Sequence, residues 1–358
     1  MRDRTAVKIP TTLESAIDVA VTRHLEAELG ARRLLLSSAD LAIAESKTAA
    51  LGRRLTTSVL QQCYPKTDGL TVEFERTDDI GRIGAALAFG AVTSRVLASG
   101  VGEGIGRQAA VELLCGTFNL AIGLVDGICD GDAAAGEQLL AHFRDADLIG
   151  AAKRQRCPGW LHAEVPIFLA ADDGVAFTVS VIEAFFETLH TVYGDNADVR
   201  RIVGEQLADA LRAEIGSVRR PLTALSAEHR IECSRATSVL PFEIIETMTT
   251  ADRATSLAGT MMGEALWRID DLVDLVDDAR VGALNAVLLD ASGPRGTRDG
   301  YEIADLHAVL ASTRIDSAAA EAAERLRDGL RMAGVSVGDD RDMFLLFVQR
   351  YAGIEPLS

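Results

Sequence analysis

The sequence predicts an all-α protein of about a dozen helices in one domain. Apolar residues recur every three to four positions over most of the chain, which is the period of a buried helix face. No long window shows the alternation of a β-strand, and no repeat of fixed length appears. Of the 358 residues, 48% are hydrophobic but only 5% are aromatic. The core is therefore expected to consist mainly of Leu, Ala, Val and Ile.

The helical periods can be placed along the chain. Residues 1–20 are expected to form a partly ordered lead-in and residues 21–358 the all-α domain, although Leu13 and Ile17 already share a face with Val21. Glycine and proline mark loops near residues 65–69, 100–106 and 293–300. Helices are expected over residues 12–36, 39–60, 80–98, 108–129, 175–193, 198–219, 234–249, 252–289, 303–311, 317–333 and 340–351.

Composition excludes several classes of function. The net charge of −17 argues against a nucleic-acid partner, whose phosphates require Lys and Arg. The five cysteines are an odd number without a Cys-x-x-Cys pair, which indicates a reduced, cytoplasmic protein. The first 18 residues contain no apolar run typical of a signal peptide. The charge-free stretch from Leu113 to Val125 is too short to span a bilayer, so no membrane span is expected.

The most informative stretch is Trp267–Asp278, which combines five carboxylates and one base with apolar residues. Residues four apart share a helix face, so Asp270, Asp274 and Asp278 form one acidic row, flanked by Asp271 and Asp277. The apolar residues between them indicate a buried helix, and buried acids need partners. Mg²⁺, Mn²⁺ and Ca²⁺ are suitable partners, whereas a solvated acidic face is the simpler alternative.

A second acidic pair closes an apolar helix earlier in the chain. Asp126 and Asp130 are four residues apart and follow the apolar stretch that ends at Val125. If this helix faces the one that carries Asp270, their carboxylates converge on one cavity. Mg²⁺ ions could then be held between these carboxylates and substrate phosphates, where they would stabilise a departing diphosphate.

The two acidic stretches resemble the two aspartate-rich motifs of the trans-isoprenyl diphosphate synthase superfamily, which includes class I terpene synthases. Residues Gly263–Asp274 with Asp278 are similar to the second motif. Asp126 and Asp130 keep the outer positions of the first, where Gly127 replaces the usual second Asp. The resemblance covers roughly residues 80–290. It implies an isoprenoid synthase-like bundle around a central apolar cavity, three Mg²⁺ ions or Mn²⁺ in their place, and a small-molecule prenyl diphosphate as substrate.

The departures from the family pattern favour one branch of it. Chain-elongating members carry an arginine pair after the first motif, whereas residues 131–136 contain no base here. The family's second motif contains an aromatic residue followed by Gln, where this chain has Leu266-Trp267. A Gly-Lys pair usually follows that motif in the family, where this chain has Gly282-Ala283. A site for a second diphosphate is therefore expected to be missing. This favours a class I terpene synthase, a cyclase or lyase that ionises a C15–C20 prenyl diphosphate, forms a diterpene and releases diphosphate.

Three alternatives stay open. The chain could be a chain-elongating trans-polyprenyl diphosphate synthase with unusual contacts to its second substrate. It could be a non-catalytic partner subunit of such an enzyme, because Gly127 replaces an acid. It could also be a helical Ca²⁺- or Mg²⁺-binding protein without chemistry. A homodimer is consistent with each of these alternatives.

The resemblance assigns roles to individual residues. Asp126 and Asp130 are the candidate catalytic residues, and the candidate metal ligands are Asp126, Asp130, Asp270, Asp271, Asp274 and Asp278. Basic residues that would meet the diphosphate are Arg235, Arg295, Arg298 and Arg350. The substrate pocket is expected to include Phe118, Ile122 and Trp267, since an aromatic ring can stabilise an allylic cation through its face. For each of these side chains, core packing or a solvated surface position is the competing interpretation.

Overall fold

The computed structural model describes residues 8–63, 77–98, 105–131, 138–139, 148–157, 159–161, 173–218, 227–251, 257–292 and 301–356. Fourteen helices and no β-sheet are found within these ranges, which confirms the predicted all-α class. The first seven are α1 (Thr11–Ala31), α2 (Ser38–Cys63), α3 (Thr77–Ala98), α4 (Ile105–Gly131), α5 (Leu148–Lys153), α6 (Asp173–Val192) and α7 (Ala197–Val218). The others are α8 (Ala227–Thr250), α9 (Ala258–Val273), α10 (Leu275–Val281), α11 (Ala286–Ser292), α12 (Ile303–Leu310), α13 (Arg314–Met332) and α14 (Asp339–Tyr351).

The N-terminal helix belongs to the bundle. In α1 the buried residues recur every four positions, at Leu13, Ile17, Val21, Leu25 and Leu29. Helix α1 packs against α13, whose eight buried residues include four alanines and one glycine. The predicted boundary at residue 20 therefore falls inside α1.

The centre of the bundle is formed by α3, α4, α6, α7, α8 and α9. Neighbouring pairs are α3 with α4, α4 with α6, α7 with α8, and α8 with α9. Gly263 allows α9 to lie directly on α8, because a Cβ atom there would come within 2.7 Å of Val239 Cα. This close approach sets the distance between α9 and α8, and with it the position of the acidic row that α9 carries.

The helix predicted over residues 252–289 is divided into three in the structure. Helix α9 ends at Val273, α10 begins at Leu275, and the chain turns at Gly282, whose φ of +69° is readily adopted by glycine. The turn at Asp274 is slight. The Asp274 N–H donates to Asp270 O at 2.9 Å, and the Asp278 N–H donates to Asp274 O at 2.8 Å. The three acids of the row therefore keep their helical spacing.

Within the part of the chain that the structure describes, three helical segments are long and apolar enough to cross a membrane by length and composition alone: Ile80–Ala98, Arg107–Cys129 and Gly174–Val192. Half or more of each segment is buried inside the bundle. Each segment is longer than the charge-free stretch on which the expectation of no membrane span rested. All five cysteines are free thiols, and only Cys157 is exposed.

Candidate functional site

Asp126 on α4 and Asp270 on α9 line one cavity of about 280 Å³. The structure thus brings together two acids that are far apart in sequence. Most other lining residues are apolar and come from α4, α6, α7 and α8: Phe118, Ala121, Ile122, Val125, Ile182, Phe185, Phe186, Leu207, Ala210, Leu211 and Pro241. Leu148, Glu214, Thr237 and Ser238 complete the wall. The cavity can therefore hold an apolar chain with acidic groups beside it.

Tyr351, at the end of α14, joins the acidic row. Its hydroxyl donates a hydrogen bond to the carboxylate of Asp270. Burial raises the pKa of Tyr351, and the charges of Asp270, Asp274 and Asp126 raise it further. Since all three carboxylates act on one hydroxyl group, the acids of α4 and α9 belong to one electrostatic cluster.

Asp271 points to a different neighbour from Asp270. Its side chain is 3% exposed, and its Oδ2 accepts a hydrogen bond from the N–H of Ala286 at 3.2 Å, at the start of α11. Burial raises the pKa of Asp271 to about 8 in spite of this hydrogen bond, with Asp270 and Asp278 adding to the effect. The predicted metal ligand Asp271 is thus engaged with the protein backbone.

Asp278 is partly buried at the far end of the row. Burial raises its pKa to about 7, and the charges of Asp274 and Asp270 raise it further. A hydrogen bond from Asn285 Nδ2 to Asp278 Oδ2, at 2.9 Å, acts in the opposite direction. The row therefore concentrates negative charge that a divalent cation would relieve.

A second cavity of about 330 Å³ adjoins the first. Ile122, Ser238, Pro241 and Asp270 line both cavities. The second is aromatic, with walls from Phe89, Phe242 and Phe347; the rings of Phe89 and Phe347 meet edge to face, with centroids 5.1 Å apart. Asn119, Leu266, Val348 and Tyr351 complete it.

The predicted pocket residues divide between the cavity and the core. Phe118 and Ile122 line the first cavity. Trp267 lines neither of these two cavities. Its indole N–H donates to Ser234 Oγ at 3.3 Å, and the guanidinium of Arg268 lies 4.4 Å from the ring centroid.

The two predicted diphosphate-binding arginines that the structure describes form ion pairs with glutamates. Arg235 pairs with Glu232 at 2.8 Å and with Glu264 at 2.6 Å, and Arg350 pairs with Glu45. Arg295 and Arg298 lie outside the described residues, as does the side chain of Asp130. Among the described residues, neither cavity has a Lys or Arg in its lining.

Sequence reasoning missed Glu214, Phe185 and Asn285. Glu214 and Phe185 lie on α7 and α6, and nothing in their local pattern distinguishes them from other helix residues. Asn285 did carry a signal, because an Asn directly before an apolar run is typical of a helix N-cap.

The carboxylates can be tested for their fit to Mg²⁺. In the described ranges, no three Asp, Glu, His or Cys side chains converge closely enough to hold an ion as they stand. The donor set nevertheless consists of carboxylate oxygens, which suit Mg²⁺. Mg²⁺ usually takes one or two carboxylates and completes its shell with water and phosphate oxygens. The residues therefore fit an ion that is shared with a phosphate ligand, and they do not form a closed protein cage.

Comparison with known proteins identifies the fold. No family model and no curated protein matches the sequence. A geranylgeranyl pyrophosphate synthetase from Pyrococcus horikoshii aligns with a TM-score of 0.51 and 12% identity, over 87% of this chain and 98% of that one. A geranylgeranyl pyrophosphate synthetase from Geoglobus acetivorans aligns with a TM-score of 0.48 and 12% identity, over 85% of this chain and 98% of that one. A polyprenyl synthase from Caulobacter crescentus, solved with calcium and isoprenyl diphosphate, aligns with a TM-score of 0.45 and 18% identity, over 90% of this chain and 99% of that one. The chain thus has the fold of the Pyrococcus enzyme, the isoprenoid synthase fold that the sequence predicted.

Proposed function

We propose that this protein is an enzyme that binds a prenyl diphosphate through Mg²⁺ and cleaves its allylic carbon–oxygen bond. The observation that carries the proposal is that Asp126 and Asp270, on two different helices, line one largely apolar cavity. Asp126, Asp270, Asp274 and Asp278 would hold the ions, together with Asp130. Bound Mg²⁺ would neutralise the charge that develops on the leaving diphosphate.

The chain's own residues would bind the substrate and exclude water. The apolar wall that includes Phe118 and Ile182 would bury the prenyl chain, and burial of each CH₂ group contributes about 0.8 kcal/mol. The apolar lining would also keep water from reacting with an allylic cation. The Tyr351 hydroxyl would orient the carboxylate of Asp270.

For the fate of the cation, chain elongation is the first candidate. The Pyrococcus protein whose fold the chain shares is a geranylgeranyl pyrophosphate synthetase. By analogy, the prenyl group would be transferred to a second isoprenoid diphosphate, and the second cavity beside Asp270 offers space for another chain. On this view the protein is a prenyltransferase.

Cyclisation or elimination is the second candidate, and a specific observation favours it. A second diphosphate requires basic groups, yet the described lining of both cavities has none, and Arg235 and Arg350 are already paired with glutamates. The cation would then react within its own C15–C20 chain, and the protein would be a terpene synthase that forms a diterpene from the C20 substrate.

Product analysis separates the candidates. C10, C15 and C20 allylic diphosphates would be supplied with Mg²⁺, with and without isopentenyl diphosphate, and products identified by gas chromatography before and after phosphatase treatment. A longer prenyl diphosphate formed only with both substrates supports elongation, whereas a hydrocarbon or alcohol from one substrate supports a terpene synthase. If no diphosphate is released under any condition, the proposed enzyme activity is wrong, and a partner subunit or a plain metal-binding protein becomes the better account.

A further inference from the structure

We propose that Asn285 is a positioning residue that holds the carboxylate of Asp278 in the acidic row. The inference rests on the proposed function, because it assigns the row to a metal-bound diphosphate. It concerns a residue outside the acidic motif, in the turn that joins α10 to α11.

The Asn285 side chain is fully buried and every part of its amide is used. Nδ2 donates to the backbone carbonyl of Asp271 at 2.6 Å and to Asp278 Oδ2 at 2.9 Å. Oδ1 accepts from the N–H of Leu288 at 3.2 Å and so caps α11. The backbone N–H of Asn285 donates to the Tyr301 hydroxyl at 3.2 Å. One residue thus connects α9, α10, α11 and the segment before α12.

A neutral amide suits this position because of the charges around Asp278. The carboxylates of Asp274, Asp270 and Asp277 all act on Asp278, and like charges tend to drive its side chain away. A Lys or Arg would hold it but would also neutralise the charge that attracts a cation. The amide of Asn285 holds the carboxylate and leaves its negative charge available to the ion.

The same contacts fix the course of the chain. Gly282 turns the backbone after α10, and Asn285 ties the following residues back to Asp271 and Asp278. Because a buried amide is costly to leave unpaired, these hydrogen bonds favour one arrangement of the turn. Groups that orient a metal ligand typically change metal affinity by about 10–100-fold when they are lost.

The test uses Asn285→Ser. A serine hydroxyl can still cap α11 at Leu288, but it is too short to reach Asp278. The matched control is Asn196→Ser, directly before α7, where Asn196 Oδ1 accepts a hydrogen bond from the N–H of Val199 at 3.2 Å, far along the chain from the acidic row. Isothermal titration of Mg²⁺ in the presence of inorganic diphosphate measures affinity without turnover. We expect at least tenfold weaker binding for Asn285→Ser and less than a twofold change for Asn196→Ser.

An Asn285→Ser affinity within twofold of wild type would overturn the inference. Absence of Mg²⁺–diphosphate binding by the wild type would instead reject the proposed function, and the metal role of Asn285 with it. A double-mutant cycle with Asp278→Ala, followed by urea unfolding in EDTA, tests the contact itself. We expect the double variant to lose less stability than the two single losses together, whereas full additivity would show that the amide does not hold Asp278.

Discussion

Gly263→Ala is expected to displace the acidic row without touching any acid. The new Cβ would lie 2.7 Å from Val239 Cα and 2.9 Å from Ser238 O, where ordinary contacts begin near 3.4 Å. These are backbone or backbone-attached atoms and cannot rotate away, so α8 and α9 must separate by about 0.7 Å. Such overpacking costs about 1–3 kcal/mol, which lowers Tm by roughly 1–4 °C in a chain of this size.

The same displacement should reach the site, because Asp270 lies two turns after Gly263 on α9. A misplacement of about 1 Å can lower catalytic rates by about 10²-fold, so we expect diphosphate release to fall at least tenfold. Thermal melts by circular dichroism and a diphosphate-release assay measure the two effects. Gly81→Ala is the control, because its Cβ would meet no heavy atom within 4 Å. Wild-type Tm and wild-type turnover in Gly263→Ala would show that the contact of Gly263 with α8 does not position the acidic row.

Three further predictions concern single side chains. Asp126→Ala and Asp274→Ala are each expected to abolish diphosphate release while circular dichroism stays near wild type; full activity would remove that residue from the mechanism. Burial raises the pKa of Asp271 from 3.8 to about 8, so this carboxyl stays protonated in the metal-free folded protein while the unfolded chain ionises, and the stability that it contributes falls as the pH rises from about 4 to about 8. Thermal melts in EDTA should show Tm falling over this pH range in the wild type and falling less steeply in Asp271→Asn. An equally steep fall of Tm with pH in Asp271→Asn would show that Asp271 is not the group that titrates. Tyr351→Phe removes the hydroxyl donor to Asp270 and should cost about 1 kcal/mol in urea unfolding without metal, whereas an unchanged midpoint would show that the hydrogen bond contributes nothing.

The fold class could be predicted because helix periodicity is a local property. The face of α1 formed by Leu13, Ile17 and Val21 is visible in the sequence and buried in the structure. The division of residues 252–289 could not be predicted in the same way. A left-handed glycine such as Gly282 looks like any other glycine, and the apolar period continues across the turn at Asp274.

The candidate site could be predicted only as far as spacing allows. The four-residue spacing placed Asp270, Asp274 and Asp278 in one row, and the backbone hydrogen bonds preserve that row. Spacing does not show which of two adjacent acids faces a cavity, and Asp271 is engaged with the start of α11. The Glu264 partner of Arg235 is a tertiary contact between α8 and α9, so it has no local signal.

Whether Asp126 and Asp270 hold metal ions together can be tested by anomalous diffraction from crystals grown with Mn²⁺ and inorganic diphosphate. We expect manganese peaks between the Asp126 and Asp270 carboxylates, with the diphosphate bound beside them at the edge of the apolar cavity. Manganese bound elsewhere, with these two carboxylates in ordinary contact with water, would show that the proposed metal site is wrong.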